Sequence, residues 1–189
     1  MKNIKMLGIT TKEGFEVRNL KRFPSMEWGD EGGLQADLYY KGDKVLQLYQ
    51  PGDGGMSNVY FTELGNCIRG EISAAALTCL QRLDVDYRPE GKYYHLNAKT
   101  PQDITEDDWE TLINIIEEYY DDVHTAAQSF KNGYKMVVAM KNNYQTSYLQ
   151  YRISDITIEE VRTYMKKNGL DKQFNEIKIL RPTPELSIL

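Results

Sequence analysis

The stretch TEDDWETLINIIEEYYDDV, positions 105–123, carries Glu106, Asp107, Asp108, Glu110, Glu117, Glu118, Asp121 and Asp122 with no lysine or arginine among them. Carboxylates at this density have two chemistries open to them. They can present fixed negative charge to a basic partner, standing where phosphates would stand. They can also hold Mg²⁺ or Ca²⁺ between acids at i, i+4. No calcium-loop spacing accompanies them, so the first use is the stronger expectation and no metal or cofactor is expected.

Helical geometry sharpens this. At 100° per residue Trp109, Leu112, Ile113, Ile116, Tyr120, Val123, Ala127 and Phe130 form one apolar stripe. Glu110, Glu117 and Asp121 run in line on another side, with Asp107, Glu118 and Asp122 beside them, an acidic ridge about 22 Å long. Asp103/Asp107, Glu106/Glu110, Glu117/Asp121 and Glu118/Asp122 are like-charge i, i+4 pairs, each unfavourable by roughly 0.2–0.5 kcal/mol where both members are helical. Acids in the first turn suit the helix dipole, and Thr105 with Asp108 makes a capping box. The rear set, Glu117, Glu118, Asp121 and Asp122, has no such explanation. A charge run of this kind is ordinarily a solvated face or one over which lysine or arginine from elsewhere folds; as a partner-binding surface, its expected residues are Asp107, Glu110, Glu117, Glu118, Asp121 and Asp122.

Other candidates are thinner. Asp30, Glu31 and Asp53 sit in the glycine loops GDEGG (29–33) and GDGG (52–55), which lack the spacing of a phosphate-binding loop and read as turns, with a small carboxylate–metal site as the competing use. His95 and His124 are isolated, and Cys67 and Cys79 are expected to pack as buried thiols. No nucleophile elbow, HExxH or Cys–His couple occurs, so the chain reads as a non-enzyme. Fourteen tyrosines exceed ordinary usage. Tyr144, Tyr148 and Tyr151, beside Lys141 and Arg152, offer rings on which single-stranded bases could stack, which makes a single-stranded nucleic-acid-binding protein the alternative function.

The elements that must position these residues follow from periodicity. Strands are expected at 15–23, 34–40, 44–50 and 58–62, with a tight turn at Lys41-Gly42-Asp43. A helix follows from Gly70, burying Ile72, Ala75, Ala76, Cys79, Leu80 and Leu83, and then a long connection with a short strand at 92–96. Next come the acidic helix, two strands around NNYQT, a helix opened by Thr157 and Glu160 and closed at Asn168-Gly169, and a last strand in FNEIKIL. The expected fold is α+β: antiparallel sheet or sheets with three helices packed on one side, arranged as subdomains 1–98 and 99–180 with a tail at 181–189.

Charge is unevenly placed. Nine of the 28 acids fall between Thr100 and Phe130, where no base occurs, leaving 19 acids against 23 bases elsewhere. No apolar run reaches the roughly 20 residues that span a bilayer, and the first residues lack a leader's apolar region, so a cytoplasmic protein is expected.

The stretch LQADLYYKGDKVLQLYQPGDGG, 34–55, resembles a hairpin-plus-glycine-loop pattern in small accessory proteins of bacterial plasmids, phages and conjugative elements. An acidic, metal-free protein of this size also looks like some anti-CRISPR inhibitors of the RNA-guided nuclease of type II systems. Those inhibitors share no common motif, so the resemblance implies a kind of partner and no site residues. The functional expectation is a non-enzymatic inhibitor or adaptor that binds a basic surface of a nucleic-acid-handling protein through the acidic helix.

Overall fold

Alternation in FEVR and LQADLYY places Phe15, Val17, Leu34, Ala36, Leu38 and Tyr40 on one side of a sheet and Glu16, Arg18, Gln35, Asp37 and Tyr39 on the other, and a register shift between Arg18 and Lys21, with Asn19 at φ 53°, turns Leu20 inward. The computed structural model describes residues 6–23, 32–51, 57–87, 98–142, 145–174 and 176–182. Contacts divide the chain into two units, 1–120 with the last two residues, and 121–187. The cut falls inside a helix, whereas the sequence places its boundary at 98.

In the first unit β1 (Met6–Thr10), β2 (Phe15–Arg22), β3 (Leu34–Tyr40), β4 (Asp43–Gln50) and β5 (Asn58–Phe61) form an antiparallel sheet in chain order. Lys41 and Gly42 take φ of 51° and 94°, the two positive values of a tight hairpin turn whose twist matches its strands. Buried Leu46 and Leu48 of β4 extend the apolar face. Helices cover that face. In α1 (Glu63–Cys67), Gly65 lies against β4 so closely that a Cβ would stand 2.0 Å from the Val45 carbonyl oxygen. Thr62 caps α1 by accepting from the Gly65 N–H at 3.0 Å and ties it to the sheet by donating to the Lys44 carbonyl. α2 (Arg69–Tyr87) buries Ile72, Ala76, Cys79, Leu80 and Leu83, the expected stripe. The first turns of α3 (Glu106–Lys131) set Trp109 edge-on to Phe15 and Phe61, at 6.3 and 5.9 Å.

In the second unit β6 (Met136–Lys141) is the middle strand between β7 (Thr146–Tyr151) and β8 (Glu176–Leu180), all antiparallel, and every residue of β6 is buried. Met136, Val138 and Met140 meet Val161 and Met165 of α4 (Ile158–Lys167) and Phe174. The opposite face, with Ala139, Lys141, Tyr148 and Gln150, meets the end of α3 through Asp122 and Ser129. A central strand covered on both faces reads as a continuous apolar run, which MVVAMK nearly is.

The architecture is α+β with antiparallel sheets of five and three strands and helices α2, α3 and α4 as the long ones. Two details differ from the sequence reading. In the second unit helices lie on both faces of the sheet. β1 and α1 are additional elements, too short for a period to stand out. The loop acids Asp30, Glu31 and Asp53, with His95, Tyr144, the 92–96 strand and most of the tail, lie outside the described residues. Among the described residues no helix is long and apolar enough to cross a membrane.

Candidate functional site

The carboxylates of α3 divide by the direction in which the helix turns them. Thr105 and Asp108 close the helix start. The Asp108 carboxylate accepts from the Thr105 N–H at 2.7 Å and from its hydroxyl at 2.8 Å, and Asp108 is buried. Glu106 and Asp107 beside it are exposed. Glu110 is half-buried and accepts a hydrogen bond from the Ser57 hydroxyl, just before β5.

The rear set does not form a solvated ridge. Glu117 pairs with Arg22 at the end of β2, whose guanidinium also donates to the Asn114 side chain at 2.7 Å. Asp122 is only 1% exposed, with Lys141 Nζ at 2.9 Å and the Tyr148 hydroxyl donating to it at 3.1 Å. Glu118 and Asp121 are exposed. Each like-charge pair, Glu117/Asp121 and Glu118/Asp122, thus has one member compensated by a cation from a strand. The repulsion that singled these residues out is thereby relieved, and Asp122 is corrected from a surface position to an interior one.

Each unit buries its own part of α3. In the first unit the buried positions are Trp109, Leu112, Ile113, Ile116 and their neighbours; in the second they are Asp122, Ala126 and Ser129. Tyr120, Val123, Ala127 and Phe130, expected on one long stripe, are only half-buried. Lys141 shares a face of β6 with Val137 and Ala139, and its side chain is 8% exposed. A buried ammonium needs a carboxylate, and Asp122 supplies it. Burial and the adjacent Asp122 charge push the Tyr148 hydroxyl up to about 12.

The tyrosines expected to act together are separated by strand geometry. Tyr148 pairs across from Ala139 and Tyr151 from Met136, so they face opposite sides of the sheet, and Tyr151 packs on the α4 side.

Two further groupings matter. Glu13, in the β1–β2 turn, takes a fork of hydrogen bonds from Arg82 at 2.9 and 2.7 Å. Burial opposes its charge, but the bonds from Arg82 and the Cys79 thiol outweigh it and draw Glu13 down to about 2. Burial and the same carboxylate push the Cys79 thiol far up, leaving it an unreactive packing group. Cys67, by contrast, is exposed at the end of α1, where a buried thiol was expected.

The second grouping is the polar face of the five-stranded sheet. The register aligns Arg18, Asp37, Gln47 and Tyr60 in one row and Lys21, Gln35, Tyr49 and Asn58 in the next. Asp37 accepts from Asn19 at 2.8 Å and Gln47 at 3.2 Å and pairs with Lys44 at 2.8 Å. Arg18 pairs with Glu16 and stacks 4.1 Å from the Tyr39 ring centre. Tyr49 and Tyr60 are 40% and 58% exposed. Sequence patterning predicted these strands but not this network, whose signal was the polar half of each alternation. No protein-family model, curated protein or solved structure matches this chain, so the functional reading rests on its own geometry.

Proposed function

We propose that the chain is a non-catalytic inhibitor or adaptor that engages a basic surface of a nucleic-acid-handling protein, with the exposed carboxylates of α3 standing where phosphates would. The observation that carries this reading is the charge of the first unit. Residues 1–120 hold 20 of the 28 acids and 13 of the 23 bases, a net of −7, while residues 121–189 hold 8 acids and 10 bases. Arg18, Arg22, Lys41, Lys44 and Arg82 each pair with an acid of the same unit, so each pair is neutral and the surplus falls on the remaining carboxylates. The emphasis moves forward along the helix, to Glu106, Asp107 and Glu118, because Glu117 and Asp122 serve the fold. Glu118 lies about 20° around the helix from Asp107, three turns on.

An RNA-guided nuclease is one partner of this chemistry, suggested by the resemblance of a small acidic protein to anti-CRISPR inhibitors and in keeping with that of the hairpin and loop region to accessory proteins of mobile elements. The single-stranded nucleic-acid reading is less well supported, since Tyr148 and Tyr151 face apart and the first unit repels polyanions. The test is affinity capture from the host lysate with wild type and a Glu106→Gln/Asp107→Asn/Glu118→Gln variant. The reading expects wild type to retain a basic protein that elutes with salt and the variant to lose it. Equal capture by a folded variant contradicts the reading.

A further inference from the structure

Edge strands expose a row of unpaired N–H and C=O groups, and proteins guard them with lysine, proline, bulges or covering segments. β5 is the edge of the five-stranded sheet, and its sequence, Asn-Val-Tyr-Phe, contains no charge and no proline. Its register with β4 runs without a bulge from Asn58 opposite Tyr49 to Phe61 opposite Leu46. Among the described residues its four-residue length is its one evident safeguard.

The direction of its backbone groups follows from one bond. The Thr62 N–H donates to the Val45 carbonyl of β4 at 3.0 Å. Successive N–H groups alternate along a strand, so those of Asn58 and Tyr60 also point to β4, while those of Val59 and Phe61 point away. Among the described residues no backbone hydrogen bond reaches β5 from that outer side.

What flanks this edge has a consistent chemistry. On one face stand the rings of Tyr60 and Tyr49, diagonal neighbours across β5 and β4. Beneath the other face run the first turns of α3, with Trp109 against Phe61 and Glu110 accepting from Ser57. Exposed Glu106 and Asp107 adjoin Glu110 at i, i+4 and i, i+3. Rings in this unit already hold cations: Arg69 lies 4.5 Å over Phe61, Lys41 4.7 Å over Tyr40 and Arg18 4.1 Å over Tyr39.

We infer that β5 accepts an extended, arginine-bearing segment of the partner as a sixth strand, its alternate side chains reaching the Tyr49/Tyr60 rings on one face and the Glu106/Asp107/Glu110 carboxylates on the other. The main chain supplies the hydrogen bonds and the flanking groups select positive charge. This rests on the reading of a basic partner given above and specifies how that partner is held.

The test uses a fluorescein-labelled eight-residue peptide of arginine and valine with arginines at both odd and even positions, so that both strand faces carry them, and the same peptide with every backbone nitrogen methylated, which keeps the charge and removes every backbone donor. Fluorescence anisotropy is expected to show the parent binding wild type at least tenfold more tightly than the methylated form. Val59→Pro, which removes an outward N–H and leaves the β4 bonds intact, should weaken the parent at least tenfold, and Tyr60→Ala should weaken it several-fold. Should Val59→Pro prove misfolded by circular dichroism, the methylated peptide and Tyr60→Ala still decide. Equal binding of the two peptides overturns strand addition and leaves charge recognition standing. No binding of the parent overturns the inference, and lysate capture by the α3 variant then judges the broader reading separately.

Discussion

Replacing Asp122 with alanine should be the most damaging single charge change in the second unit. The carboxylate is 1% exposed and the Lys141 side chain 8%, with 2.9 Å between the charged atoms. Removing one partner leaves an ammonium in the interior with its carboxylate gone, a loss that runs to about 3–5 kcal/mol. Total stabilities are only about 5–15 kcal/mol, so the variant should sit near its limit. The paired change Asp122→Leu with Lys141→Met removes both charges and should recover to within about 1 kcal/mol of wild type, because an apolar pair avoids the desolvation that the ion pair must overcome. The assay is urea unfolding by far-ultraviolet circular dichroism on wild type, Asp122→Leu, Lys141→Met and the double variant, read as a cycle. A coupling above about 2 kcal/mol is expected. Single-variant losses under about 1 kcal/mol, or losses that simply add, would refute the interior ion pair, because that is how exposed pairs behave.

Other parts of the structure give sharper or gentler responses. Arg22→Ala, which breaks the pair with Glu117 but removes a side chain 45% exposed, should cost under about 1 kcal/mol in the same urea assay. Gly65→Ala brings a methyl to 2.0 Å from the Val45 carbonyl oxygen and should destabilise by about 3 kcal/mol or more, read as a lower melting temperature. Glu13 is held at about 2, below the ordinary carboxylate value of 4.5, so it stabilises the fold above that value and the contribution is lost as pH falls from 4.5 towards 2. Glu13→Gln should therefore flatten the acid limb of a stability–pH curve over that window, and an unchanged limb would count against the Arg82 fork.

Much of the fold is legible because it is written locally. The Thr157/Glu160 box, the Asn168-Gly169 stop and the Lys41-Gly42 turn each act within a few residues, and the structure has all three. β1 and α1 carry five residues each, too few for a period to emerge. The site was harder to read because charge on a helix says nothing about what folds onto it. Asp122 and Glu117 look like surplus acids until Lys141 and Arg22 arrive from strands. One signal was available: a lysine closing the buried run MVVAMK, on the face of Val137 and Ala139, calls for a carboxylate partner. The opposed faces of Tyr148 and Tyr151 were equally readable, since three residues along a strand is an odd step. The outward edge of β5 depended on pairing, which no local pattern contains.

These assignments change which variants can test function. Neutralising Asp122 would disturb the fold together with any surface, whereas Glu106, Asp107 and Glu118 are exposed and their neutral forms should each shift stability by no more than about 1 kcal/mol. The most direct measurement is the affinity of the captured basic partner for wild type and for Glu106→Gln/Asp107→Asn/Glu118→Gln at a low and a high salt concentration. Wild type should bind much more weakly at high salt, and the variant should bind weakly at both, with a shallower salt dependence. Identical affinities and identical salt dependence for the two proteins would contradict the claim that the carboxylates of α3 recognise a basic surface.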